Sequence, residues 1–343
     1  MQNLLDPAIL FFVFGVMAGL VRSNLEIPAA VSRFLSLYLL MALGLKGGFA
    51  LAHSGFGGEV LASLLSAVLL AVAVPALGYL VLRRMLKPFD ALAVASTYGS
   101  VSAVTFITAV AYLERNGLSY GGHMAAAMAL MESPAIVLAV LMANHLRQAR
   151  TAATVQLNGG GTASLSGAGW AGTGRGGAPG RQIGHLLHES FTDGAQLLLL
   201  GAMVVGLVSG DAGKAAMQPF SGDLFKGMLA FFMLDMGLNA ARQLPQLRGQ
   251  SPWVLLYAVL GPFTHAFLGL GLAWLAGLPA GDAGLLMVLA GSASYIAVPA
   301  VLRYAVPEAN QALYFGLSLG LTFPLNVLLG VPFYMQVAHA VLG

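Results

Sequence analysis

The sequence predicts an all-α integral membrane protein whose ten transmembrane helices form a 5+5 inverted repeat, with spans 4 and 9 broken at the midplane. Three observations carry that expectation. Of the 343 residues, 58% are hydrophobic and only 8% charged, with a mean hydropathy of +0.82, whereas soluble domains are roughly one-quarter charged. The apolar runs are long and unbroken, which suits helices and excludes the alternating strands of a β-barrel. Similar segments also recur in the same order in the two halves of the chain.

Apolar windows bounded by charges and turn residues lie near 7–21, 28–52, 60–82, 90–113 and 119–146, and again near 191–209, 219–241, 252–276, 282–304 and 309–341. No Lys or Arg precedes the first run, so it lacks the basic leader of a secretory signal and is expected to remain as a span. Residues 151–181 are rich in Gly, Ala, Ser and Thr and poor in branched apolar residues, the composition of a flexible linker. The chain is thus expected to divide into a first repeat (1–147), a cytoplasmic loop (148–188) and a second repeat (189–343).

Orientation follows from the basic residues, which are retained on the cytoplasmic side of span ends. Arg22, Arg33, Arg83, Arg84, Lys87, Arg147, Arg150, Arg175, Arg181, Arg242, Arg248 and Arg303 fall at odd-numbered connections, and only Lys46, Arg115, Lys214 and Lys226 at even ones. Both termini are therefore expected outside and the central loop in the cytoplasm.

Composition also excludes function classes. Without cysteine there is no disulfide, thiolate metal site or cysteine nucleophile. A net charge of +3 spread over scattered basic residues makes no nucleic-acid-binding face. The absence of H-E-x-x-H, of G-x-S-x-G and of neighbouring intramembrane acids weighs against an embedded enzyme. The seven histidines are dispersed, none in zinc-site company. His265, in GPFTHAF, reads as a hydrogen-bonded packing residue.

The repeat rests on three matches. MALGLKGG (41–48) parallels LDMGLNAA (234–241). DALAVASTYGSVSAVTFITAVAY (90–112) parallels DAGLLMVLAGSASYIAVPAVLRY (282–304), setting Asp90 over Asp282, Gly99 over Gly291, Ser100 over Ser292 and Ser102 over Ser294. MESPAIVL (131–138) parallels LTFPLNVL (321–328), setting Pro134 over Pro324. An odd number of spans per repeat inverts the second against the first.

The clusters TYGSVSAVT (97–105) and AGSASYIAV (290–298) interrupt apolar spans. Glycine costs up to about 1 kcal/mol inside a helix and serine prefers to cap one. Each span is therefore expected to unwind into half-helices, the first ending near Tyr98 and resuming near Ser102. Half-helix N-termini suit an anion and C-termini a cation. The candidate substrate-binding residues are Tyr98, Gly99, Ser100, Val101 and Ser102 with Gly291, Ser292, Ala293 and Ser294. Neither cluster contains Arg or Lys, so a small, singly charged oxyanion fits better than phosphate or sulfate, which bidentate arginine ordinarily clamps.

Two acids sit deep in apolar spans, Glu132 in ALMESPAIV and Asp235 in FFMLDMGLN, and such residues are costly enough to be functional candidates. Glu132 and the carbonyl freed by Pro134 are hard oxygen ligands for an alkali cation, and Thr105 and Asn326 offer further oxygens. The alternatives are Glu132 as polar glue or proton carrier, and Asp235 paired with Lys46 or capping a packing interface.

At YGSVSAVTF, AGSASYIAVPA, MESPAIVLAVL and LGLTFPLN, and over nearly its whole length, the sequence resembles the SbtA-type sodium-dependent bicarbonate transporters. The resemblance implies sodium as coupling ion and bicarbonate as substrate. It implies a core domain (60–147 and 251–343) moving against a gate or scaffold domain (1–59 and 189–250), and a homotrimer among the lipids of a bacterial inner membrane. A PII-like cytoplasmic regulator is a further implied partner. The competing expectation is a sodium- or proton-coupled transporter of another small monovalent anion on the same fold.

Overall fold

The computed structural model describes residues 5–55, 57–157 and 194–343. Among them the regular structure is helical, without strands. Helix α1 (Pro7–Leu20) starts where Asp6 accepts the Ala8 N–H at 2.8 Å, with Pro7 in the first turn, where a missing N–H costs nothing. Helices α2 (Ala29–Ser54), α3 (Gly58–Leu82), α4 (Pro88–Gly99), α5 (Ala103–Arg115) and α6 (Met124–Leu157) follow. The second half holds α7 (Gly194–Met217), α8 (Leu224–Gln243), α9 (Pro252–Leu275), α10 (Ala280–Gly291) and α11 (Ala297–Ala305). A last helix, α12 (Gln311–Leu342), carries π-helical turns at Gly316–Thr322 and Asn326–Gly330.

Seven helical stretches are long and apolar enough to cross a membrane, and α1 and α10 are shorter apolar helices. The protein is a multi-pass membrane protein. One difference from the sequence expectation lies after the fifth span. Helix α6 continues to Leu157, into the stretch read as linker, because RQARTAATVQL contains good helix formers and no Gly or Pro. The rest of that linker, with Arg175, Arg181, His185 and His188, lies outside the described residues.

Glycine decides which helices touch most closely. A Cβ on Gly44 or Gly48 of α2 would stand 2.3 Å from the Leu199 carbonyl oxygen or 2.1 Å from that of Met203, both on α7. On α1, Gly15 approaches the Leu234 carbonyl oxygen of α8 in the same way, at 2.3 Å, and Gly237 of α8 approaches that of Phe12 at 2.2 Å. Contacts advance in the same direction along both members of each pair, so α2 runs parallel to α7 and α1 to α8. Such backbone approach is how small residues drive association in lipid, where burial of apolar side chains gains little. Between α2 and α8 the direction is opposite: Ser32 bonds to Asp235 while Lys46 lies over the Phe225 ring. The chain therefore reverses between α7 and α8, around Gly210 (φ +54°) and the π-helical turn Gln218–Asp223.

The half-helices α4 and α10 occupy the interior. Every residue of α10, and of α4 from Ala91 to Gly99, is buried, with α3 and α6 packed on α4, and α9 and α12 on α10. Their outer ends are tied alike. Asp90 accepts the N–H of Asn310 at 2.7 Å, just before α12, and Asp282 accepts that of Gly121 at 2.5 Å, just before α6. Beside Asp282, His123 Nε2 lies 3.1 Å from Ser63 Oγ and 3.5 Å from the carboxylate.

Candidate functional site

The two interruptions meet. The backbone leaves α4 at Ser100 (φ −103°, ψ −178°) and re-enters helix after Ser102, the N-cap of α5, whose Oγ accepts the Thr105 N–H at 3.2 Å and the Thr105 hydroxyl at 2.9 Å. The second segment leaves α10 at Ser292 (φ −89°, ψ 168°), and Ser294 Oγ accepts the Val298 N–H at 3.3 Å in the first turn of α11. Between them, the Ser294 N–H donates to the Thr97 carbonyl at 2.7 Å. At the position that the sequence match makes equivalent, the Ser102 N–H donates to Ser292 Oγ at 3.1 Å, and that hydroxyl donates to the Leu289 carbonyl at 3.0 Å. One link is direct and its counterpart is relayed through a hydroxyl.

Further side chains hold the helix ends. Asn326 donates to the Gly291 carbonyl at 2.8 Å and accepts from the Tyr334 hydroxyl at 3.0 Å. The Tyr98 hydroxyl lies 2.5 Å from Thr322 Oγ1, which donates to the Ala258 carbonyl at 2.8 Å. Thr322 and Asn326 border the π-helical turns, which turn side chains out of the usual helical register and recur at functional sites. Gly99 ends α4 against a proline: a Cβ there would stand 2.4 Å from Pro75 Cγ. One on Gly291 would stand 2.8 Å from the Pro262 carbonyl oxygen.

A cavity of about 640 Å³ opens onto this junction, ample for a small hydrated ion when one water occupies about 30 Å³. Val101, Ser102 and Ala103 line it from the first break, and Ser294, Tyr295, Ile296 and Ala297 from the second. Glu132 of α6 and Gln196 of α7 complete the wall, the amide donating to the carboxylate, and Arg33 and Ser36 lie on α2. The N-termini of α5 and α11 thus both reach the cavity, at Ala103 and Ala297, bringing backbone N–H groups and positive dipole ends.

Of the residues expected to bind substrate, Val101, Ser102 and Ser294 line the cavity; Tyr98, Gly99, Ser100, Gly291, Ser292 and Ala293 are buried outside its lining. The Ser100 hydroxyl is buried without a hydrogen-bond partner among the described residues. The four cation candidates do not converge. Glu132 faces the cavity, Thr105 donates to Ser102, and Asn326 uses both ends of its amide on Gly291 and Tyr334. Asp235 lies outside the cavity lining and accepts from the Ser32 hydroxyl and, at 3.1 Å, from Asn239.

Two expectations are corrected. Lys46 pairs with Glu114 at 2.8 Å rather than with Asp235, because α2 and α8 run in opposite directions and place the two residues apart. His265 Nδ1 is buried without a hydrogen-bond partner among the described residues. It packs edge-on against Tyr98 and Tyr257, with ring centroids 6.3 and 6.0 Å away, and the Tyr98 hydroxyl is engaged by Thr322. Sequence reasoning missed Gln196, Tyr334 and the two prolines. Pro75 and Pro262 carried a legible signal, since each sits inside an apolar span and removes an i→i−4 hydrogen bond there.

The Asn326 brace is testable. Asn326→Leu leaves the Gly291 carbonyl and Tyr334 hydroxyl buried and unpaired, at a cost of about 1–3 kcal/mol each. A melting temperature in detergent several degrees below wild type is expected, and an unchanged one would show that neither group needs the amide.

A family profile described as the Na+-dependent bicarbonate transporter superfamily matches residues 7–339, nearly the whole chain. Among curated proteins no match is found. With the profile running from the first turn of α1 to the last turns of α12, the chain belongs to the Na+-dependent bicarbonate transporter superfamily.

Proposed function

We propose that the protein is a sodium-coupled symporter that imports bicarbonate across a bacterial inner membrane by alternating access. The observation that carries this reading is that two helix N-termini, Ser102, Ser294 and the Glu132 carboxylate all face one cavity. The N-termini, Ser102 and Ser294 suit a monovalent oxyanion, and Glu132 suits sodium, whose ligands are hard oxygens. Energetics require a co-moving cation: bringing one negative charge inward against an inside-negative potential costs about 2.3 kcal/mol per 100 mV.

The inverted 5+5 repeat is part of this proposal, and paired contacts support it. Gly19 packs against the Leu238 carbonyl and Ala241, while Gly206 packs against the Leu45 carbonyl and Gly48, residues that the match of 41–48 with 234–241 makes equivalent. Asp90 and Asp282, and the direct and relayed links between the breaks, are pairs of the same kind. Helices α1, α2, α7 and α8 would form the gate and the remainder the moving core. With the basic end of α2 in the cytoplasm, the cavity opens inward past Arg33.

The test is radiolabelled bicarbonate uptake into proteoliposomes holding only this protein, with and without an inward sodium gradient, at a pH where carbon dioxide is scarce. Sodium-driven accumulation is expected. Uptake at the same rate without sodium would point to a channel, and none under any gradient would remove bicarbonate as substrate. In the same assay Ser102→Ala removes a helix cap worth about 1 kcal/mol and a hydroxyl of the cavity wall. A bicarbonate KM raised roughly tenfold is expected, and an unchanged KM would take Ser102 out of the site.

A further inference from the structure

Two helices run from the cavity at the breaks to a second cavity at the opposite end. Helix α2 lines the first with Arg33, Ser36, Leu37 and Leu40 and the second with Lys46, Phe49, Ala50 and His53; α5 lines the first with Ala103 and the second with Glu114 and Arg115. The two cavities share no lining residue. The first cavity thus lies along the N-terminal half of α2 and the second along its C-terminal half, with described residues packed between them.

Charge is concentrated around the second cavity. Lys46 Nζ lies 2.8 and 3.0 Å from the two Glu114 oxygens and 3.8 Å above the Phe225 ring. The next residue, Arg115, pairs with Asp6 at the start of α1, and Tyr120 donates to Glu114 at 3.2 Å. Each pair joins α1 or α2 to the C-terminal end of α5, the trailing half of the first broken span. We propose that the Lys46–Glu114 and Asp6–Arg115 pairs are an outer charge lock, closed while the site faces the cytoplasm and broken when it faces outside. The proposal rests on the alternating-access reading.

The physical character of the pairs suits a reversible closure. The four side chains retain between 16% and 34% of their exposure, so water can take over their hydrogen bonds on opening. Partly exposed pairs contribute up to about 1 kcal/mol each, enough to bias an equilibrium between two arrangements severalfold and too little to freeze it. A fully buried pair would cost several times more to separate.

The chain has no cysteine, so Ala103→Cys gives a single reporter thiol at the inner cavity. In oriented vesicles a membrane-impermeant maleimide is applied from one side at a time. Reporter labelling from outside is expected to be slow, and to quicken about fivefold when Lys46→Gln or Asp6→Asn opens one pair. The reversed pair, Lys46→Glu with Glu114→Lys, is expected to return the slow rate, while rapid labelling from the cytoplasmic side reports that each variant is folded. Outside labelling that ignores all of these changes, or a reversed pair as fast as the single variants, overturns the lock. Bicarbonate uptake is measured in parallel on vesicles of the same lock variants and of the wild-type chain without the Ala103→Cys reporter. Sodium-driven uptake beside indifferent labelling refutes the lock alone, whereas absent uptake beside charge-dependent labelling refutes the symport reading alone.

Discussion

Glu132→Gln is expected to raise the sodium concentration needed for half-maximal bicarbonate uptake at least tenfold, while leaving the melting temperature close to wild type. The substitution keeps shape and one oxygen and removes only the charge. A carboxylate at this depth costs about 2.5–3.5 kcal/mol to insert, and Glu132 faces the cavity, where the Gln196 amide donates to it. A sodium ion in the cavity would be held by that charge, and losing a charge-assisted contact is worth about 1.5–3 kcal/mol, tenfold or more in affinity. The measurement is initial uptake rate against sodium at saturating bicarbonate. Normal sodium activation with an altered pH profile would make Glu132 a proton carrier, and normal behaviour in both would reduce it to a packing residue bonded to Gln196.

Gly237→Val is expected to lose stability by about 3 kcal/mol, lowering the melting temperature in detergent by about 6 °C or more. A Cβ at this position would stand 2.2 Å from the Phe12 carbonyl oxygen and 2.9 Å from the Val16 nitrogen. Both are backbone atoms of α1, so relief requires the two helices to separate, which also pulls apart Gly15 and Leu234 one turn away. Gly271→Val is the control, since a Cβ there meets nothing within 4 Å, and its melting temperature should stay near wild type. If Gly237→Val melted like that control, the parallel α1–α8 contact would not be the tight interface described above.

The first break was legible to within a residue. Glycine and serine in an apolar run have few other uses, and the structure ends α4 at Gly99 and caps α5 with Ser102. The second break extends through Ile296, the residue before α11. Tyr295 and Ile296 line the cavity, yet nothing in their apolar character separates them from a helical span. Asn326 attracted notice for its oxygen, but its role in capping Gly291 depends on which helix lies opposite. Gln196 and Tyr334 carry no local signal, because a single polar residue in a span acquires meaning only from its neighbour.

The sequence by itself determined the membrane class, the positions of the apolar runs, where two of them begin to break, and the family to which the chain belongs. Those properties follow from solvent preference and local backbone propensity, which are written in consecutive residues. Only the tertiary structure decided that α1 packs along α8 and α2 along α7, that Lys46 finds Glu114 rather than Asp235, and that Glu132 and not Asp235 faces the cavity. Each of these depends on the relative direction and depth of helices far apart in the chain. In lipid that docking is set by close backbone approach and a few polar contacts, terms to which hydropathy is blind.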